Sequence, residues 1–97
     1  MTNIMSNDEI LSAINEYPEP KYIWIDIWEI SPYEIQLVLT INNESMCHLG
    51  THMVLRVSSL YTDEKTTAAI KDRGRNIRKL LKSNFKYSVI HSNLRYR

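Results

Sequence analysis

Residues 62–84 constrain the fold more than any other stretch of this chain. Thr66, Ala69, Ile70, Gly74, Ile77, Leu80 and Leu81 recur at helical spacing, with Phe85 just beyond, which predicts one amphipathic helix with an apolar stripe to bury. Thr62 suits the N-cap, and Asp63 and Glu64 place negative charge in the first turn, where the helix dipole favours it. The opposite face is unusual. Lys71, Arg75, Arg78, Lys79 and Lys82 share one stripe, and Lys86 follows it. Like charges at i, i+4 cost roughly 0.2–0.5 kcal/mol per pair, so the pairs 71/75, 75/79 and 78/82 all work against the helix.

Charge is divided along the chain in the same sense. Residues 1–50 carry one basic residue, Lys21, against eight acidic ones, whereas residues 51–97 carry eleven basic against three acidic. The net charge of +1 conceals this asymmetry, which calls for an anionic partner or for two halves that neutralise each other. At 97 residues the chain makes a single domain, 1–97, with residues 1–5 expected to fray. One cysteine excludes an intrachain disulfide, no apolar run approaches the roughly 18 residues that span a bilayer, and the N-terminus lacks the pattern of a signal peptide. A cytoplasmic protein is expected. Twelve Ile and eight Asn against three Ala and two Gly suggest an AT-rich coding sequence, a bias common among small early proteins of bacteriophages.

The remaining segments supply a platform for the long helix. Ser6 with Glu9 forms a capping box, and Ile10, Leu11, Ile14 and Tyr17 follow one face of a short helix that Pro18 and Pro20 end. Residues 21–30 read as a strand with Ile23, Ile25 and Ile27 on one face and Tyr22, Trp24, Asp26, Trp28 and Ile30 on the other. A strand apolar on both faces belongs in the middle of a sheet. Ser31-Pro32 makes a turn, and residues 33–41 alternate with Tyr33, Ile35, Leu37, Leu39 and Ile41 inward. A third strand alternates Met53, Leu55 and Val57 against Val54, Arg56 and Ser58, and residues 86–96 revert to strand character after the helix. The expected fold class is α+β in the order α-β-β-β-α-β: a small, mostly antiparallel sheet of three to four strands with the long helix on one face.

One helix cannot cover two faces. The first helix either closes the second face, making Tyr22, Trp24 and Trp28 core residues, or packs beside the long helix and leaves them exposed in a row. Closure is the expectation adopted for so small a chain. An exposed row would instead mark a homodimer interface or a stacking platform for single-stranded nucleic acid.

Catalytic chemistry has little to stand on. Cys47, His48, His52 and His91 do not fall at a common zinc-ligand spacing, Cys47 lacks an orienting acid, and two glycines cannot build a phosphate-cradling loop. No cofactor, metal or catalytic residue is expected, and the protein is not expected to be an enzyme. Arg73 projects near the side that meets the sheet and needs a counter-charge, for which Asp26 is the expected partner in a structural ion pair. The remaining cations of the stripe and Lys86 are the candidate contact residues for a macromolecule. Two functions follow: a small protein–protein inhibitor or adaptor, of the phage counter-defence type and expected to dimerise, or a nucleic-acid-binding protein that lays its helical cations on phosphates.

Overall fold

The computed structural model describes residues 4–17, 19–42, 52–61 and 64–94. Its elements are α1 (Asn7–Asn15), β1 (Tyr22–Ser31), β2 (Glu34–Asn42), β3 (His52–Tyr61), α2 (Glu64–Asn84) and β4 (Val89–Asn93), the α+β order expected. Helix α1 starts where the capping box predicts. Ser6 Oγ accepts from the Glu9 amide at 3.1 Å, and Glu9 Oε1 accepts from the Ser6 amide at 3.1 Å. Two amides that would otherwise lack helical partners are thereby satisfied.

The four strands form one sheet in the order β3-β2-β1-β4. Strands β1, β2 and β3 make an antiparallel meander, whereas β4 lies parallel to β1. The sheet is therefore mixed. A parallel neighbour requires a crossover, and α2 supplies it by carrying the chain from the β3 edge to the β4 edge across the sheet. Strand β1 is internal, as its two apolar faces require.

The layer between helices and sheet contains the core. Ile70, Ile77 and Leu81 of α2 pack with Ile23 and Ile25 of β1, Ile35, Leu37, Leu39 and Ile41 of β2 and Val57 of β3, all fully buried. Gly74 lets the helix approach closely. A Cβ there would stand 2.7 Å from Leu94 Cδ2 and 3.4 Å from Leu37 Cδ1.

Helix α1 joins this same layer. Ile10 and Ile14 are fully buried within the one cluster that contains Ile70 and Ile77. The expectation that α1 closes the aromatic face is overturned. Its cause is the N-terminal segment: Ile4 bridges Ser58 on the β3 edge, the Met5 amide donates to the Val57 carbonyl at 2.9 Å, and Arg73 of α2 clamps the start of the helix.

Three smaller expectations also change. Tyr33 lies in the turn between β1 and β2 and is exposed, because the hairpin reverses there. Ala69, assigned to the buried stripe, is exposed at its margin. The register of β3 shifts where Leu37 pairs with Ser58 and Val38 with Arg56, so that Val57 bulges, and beyond it Ser58 turns inward and Ser59 outward. The expected cap at Thr62, the cysteine and histidine at 47 and 48, and Arg95 and Arg97 fall outside the described residues, as do the side chains of His52 and Thr66.

Candidate binding surfaces

With both helices on one side, no described element covers the other face of the sheet. Strand alternation places Tyr22, Trp24, Asp26 and Trp28 of β1 there, and cross-strand register adds the neighbours. One row reads His91, Trp24, Thr40, Val54 from β4 to β3, and the next reads Asn93, Asp26, Val38, Arg56. A third pairs Trp28 with Gln36 and Gln36 with Ser59.

The aromatic side chains are ordered by one another. Tyr22 and Trp24 stack with ring centroids 5.6 Å apart at 20°, and Trp24 stacks on His91 at 5.7 Å and 19°. Each such pair contributes about 0.5–1.5 kcal/mol beyond the area it buries. The rings thus form a preset ridge along β1 and β4. Trp28 is 37% exposed, and Val54 and Val89 are also exposed. Val38 is fully buried although no helix covers it, so its neighbours on the open face must enclose it.

Polar groups are interleaved with the apolar ones on this face, and some of them pair with one another. Arg56 Nη1 donates to Gln36 Oε1 at 3.0 Å, and Ser59 Oγ donates to Glu34 Oε2. Asp26 has no cation beside it among the described residues, and burial pushes its carboxyl above the ordinary carboxylate range.

The basic stripe occupies the opposite side of the molecule. Arg75, Arg78, Lys79 and Lys82 are exposed on α2, Lys71 is half-buried, and Lys86 is exposed in the turn after the helix. Among the described residues the one ion pair here joins Arg75 to Asp72 at 2.7 Å, with both side chains more than half exposed. Such a pair is worth little. Among the described residues no carboxylate pairs with the other cations of the stripe. A single ligand cannot rest on both the stripe and the aromatic ridge without wrapping the whole domain.

Arg73 does not pair with Asp26. Its guanidinium donates to Asn7 Oδ1 at 2.7 Å and to the Met5 carbonyl at 3.0 Å, on the helical side of the sheet. Asp26 stands on the opposite face, and the sheet separates them. Arg73 instead ties α2 to the start of α1.

Concave sites are shallow. An open depression of about 500 Å³ lies between the end of α2 and the start of β1, lined by Pro20, Lys21, Asn84, Phe85, Tyr87 and Ser88 among others, mostly through apolar atoms. Ser88 Oγ donates to the Pro20 carbonyl at 2.5 Å within it. Among the described residues, no three His, Cys, Asp or Glu side chains gather to hold a metal ion, and no helix is long and apolar enough to cross a membrane.

Comparison with known protein families, with curated proteins and with solved structures finds no match to this chain. What the chain can be assigned to is its class: a small two-layer α+β fold with one sheet face that no element among the described residues covers.

Sequence reasoning picked out Tyr22, Trp24 and Trp28 but missed His91, Val38, Val54 and Arg56 as members of the same surface. Alternation within each strand gave the face of each residue. The parallel pairing of β4 with β1 was needed to bring His91 to Trp24.

Proposed function

We propose that this protein is a non-enzymatic binding module that acts by docking the open face of its sheet on another protein surface, as an inhibitor or adaptor does. One observation carries the proposal: the Tyr22–Trp24–His91 stack forms an ordered aromatic ridge, with Trp28, Val54 and Val89 exposed on the same sheet face. Protein interfaces are enriched in such aromatics at their centres and depleted in charge. The ridge is already ordered, which lowers the entropy cost of binding. Trp24→Glu and Trp28→Glu each remove recovery of the partner by the tagged chain from its native cell. Arg78→Glu/Lys79→Glu, on the other side of the domain, leaves recovery intact. Equal recovery by all four forms would refute the assignment.

A second reading keeps nucleic acid as the partner, bound along α2. Arg78, Lys79 and Lys82, which have no carboxylate partner among the described residues, favour it. It requires that binding of a mixed oligonucleotide pool weaken steeply with salt, because each neutralised phosphate releases counterions. Lys71→Glu/Arg75→Glu/Lys79→Glu would abolish that binding, and no retention of the wild type at low salt would exclude it.

A further inference from the structure

We infer that the occupant of the open face is a second copy of this chain, docked sheet to sheet about a two-fold axis along β2 through Val38, with Asp26 of each copy meeting Arg56 of the other. The inference rests on the reading of this face as the binding surface and adds to it the partner and the register.

Charge selects the axis. In the row Asn93, Asp26, Val38, Arg56, the acid and the base flank β2, each one strand spacing of roughly 4.8 Å from Val38. A two-fold axis in the interface along the strands lays β2 on β2 and exchanges β1 with β3. Each row keeps its level, and Asp26 faces Arg56 twice. The alternative axis, across the strands, sets β1 on β1 and opposes Asp26 to Asp26 and Arg56 to Arg56. Like charges in a desolvated interface cost several kcal/mol, so the first axis is favoured.

Side-chain size selects the same axis. The large residues Trp24 and Trp28 stand on β1, while their row-mates on β3 are Val54 and Ser59. Exchanging β1 with β3 lays large over small in these two rows. The other axis would lay the ridge of one copy on the ridge of the other. Packed sheets sit about 30° apart, which displaces a residue one strand from the axis by roughly 2–3 Å, within the reach of an arginine. Asp26, which pairs with no cation among the described residues, gains one in the dimer.

Three strands about 14 Å across, with β1 roughly 33 Å long, give about 460 Å² per copy, about 920 Å² in all, which is below the size of standard stable interfaces, so the association is a weak one in the micromolar range or above. Sedimentation equilibrium of the intact chain over about 10–300 µM is therefore the assay. The wild type is expected to form a dimer. Asp26→Arg and Arg56→Asp each raise the dimer dissociation constant at least about tenfold, since each opposes like charges twice. An equimolar mixture of the two variants recovers association, because one variant presents only cations in this row and the other only carboxylates. Repair within one chain cannot produce that recovery. If circular dichroism shows that a reversal does not fold, the isosteric Asp26→Asn takes its place and weakens the dimer by a smaller factor.

A wild type that stays monomeric at 300 µM, or a mixture no tighter than either variant alone, overturns the inference. A monomer that still loses its cellular partner on Trp24→Glu would defeat only the second-copy assignment. Loss of neither would defeat the binding-face reading as well.

Discussion

Gly74 offers a direct test of how closely α2 lies on the sheet. Alanine in place of glycine within a helix gains about 0.8–1.0 kcal/mol through the backbone. Against that, the new Cβ would stand 2.7 Å from Leu94 Cδ2, nearer than unstrained contact allows. Leu94 is half-buried, and its side-chain end can rotate away. Full burial of a leucine side chain is worth about 1.5–3 kcal/mol, so displacing a half-buried one forfeits about 1 kcal/mol. The two effects nearly cancel, and Gly74→Ala is expected within about 0.5 kcal/mol of wild type. Valine is different. One of its methyls is driven towards Leu37, which is fully buried and cannot move aside, so Gly74→Val costs about 2–3 kcal/mol. In a Leu94→Ala background the obstacle is gone, and Gly74→Ala should stabilise by about 1 kcal/mol. Urea denaturation of the four members of the Gly74/Leu94 cycle measures this directly. For a domain of this size, 1 kcal/mol corresponds to about 4–8 °C in Tm, so thermal melts serve as a check. A Gly74→Ala change that costs more than about 2 kcal/mol in both backgrounds would refute the account, since Leu94 would then not be what limits the space.

Other expectations follow from named contacts. Ser6→Ala removes the cap on α1 and should cost about 1 kcal/mol in urea denaturation, with loss of far-UV helical signal first at low denaturant. Glu9, held below its ordinary range by the Ser6 amide and then the Ser6 hydroxyl, contributes stability above the unfolded carboxylate pKa, and that stability is lost as pH falls through its lowered folded value. Glu9→Gln should flatten this acid limb. Asp26 has the opposite sign: its raised folded pKa means that stability declines as pH rises from the ordinary carboxylate range through the raised value. Asp26→Asn, measured on dilute monomeric protein, should therefore stabilise at neutral pH, and an unchanged pH profile would contradict the burial assigned to it. Arg73→Leu leaves Asn7 and the Met5 carbonyl without their donor, so amide exchange in residues 4–10 should accelerate more than in β1 or β2.

The two surfaces also bear on how the domain is used. The cations and the aromatic ridge lie on opposite sides of the sheet, so charge on α2 would not oppose the proposed docking of the sheet face. A dimer through the sheets would leave both basic helices outward, one on each side. In that geometry the cations of α2 stay accessible, so self-association and binding along α2 would be removed independently by substitution.

Local periodicity determined a good deal. The spacing of Ile70, Gly74, Ile77 and Leu81 identified the helix and its buried stripe, the Ser6–Glu9 pair identified the start of α1, and period-two alternation identified β1 and β2 with their faces. These are properties of neighbouring residues, and chain geometry alone relates a side chain to the next one on its own face. Where α1 packs was not legible, because its stripe of Ile10 and Ile14 would suit either side of the sheet. Contacts between residues distant in sequence decided it: Met5 with Val57, and Arg73 with Asn7 and Met5. The partner of Arg73 was misassigned for the same reason, since a helical wheel gives a direction but not what lies there. The placement of β4 beside β1 likewise required the crossover of α2 to be built before His91 could reach Trp24. Local pattern thus marked the apolar sides of α1, α2, β1 and β2, whereas tertiary packing set the bulge that turns the end of β3 and decided which apolar sides find cover among the described residues.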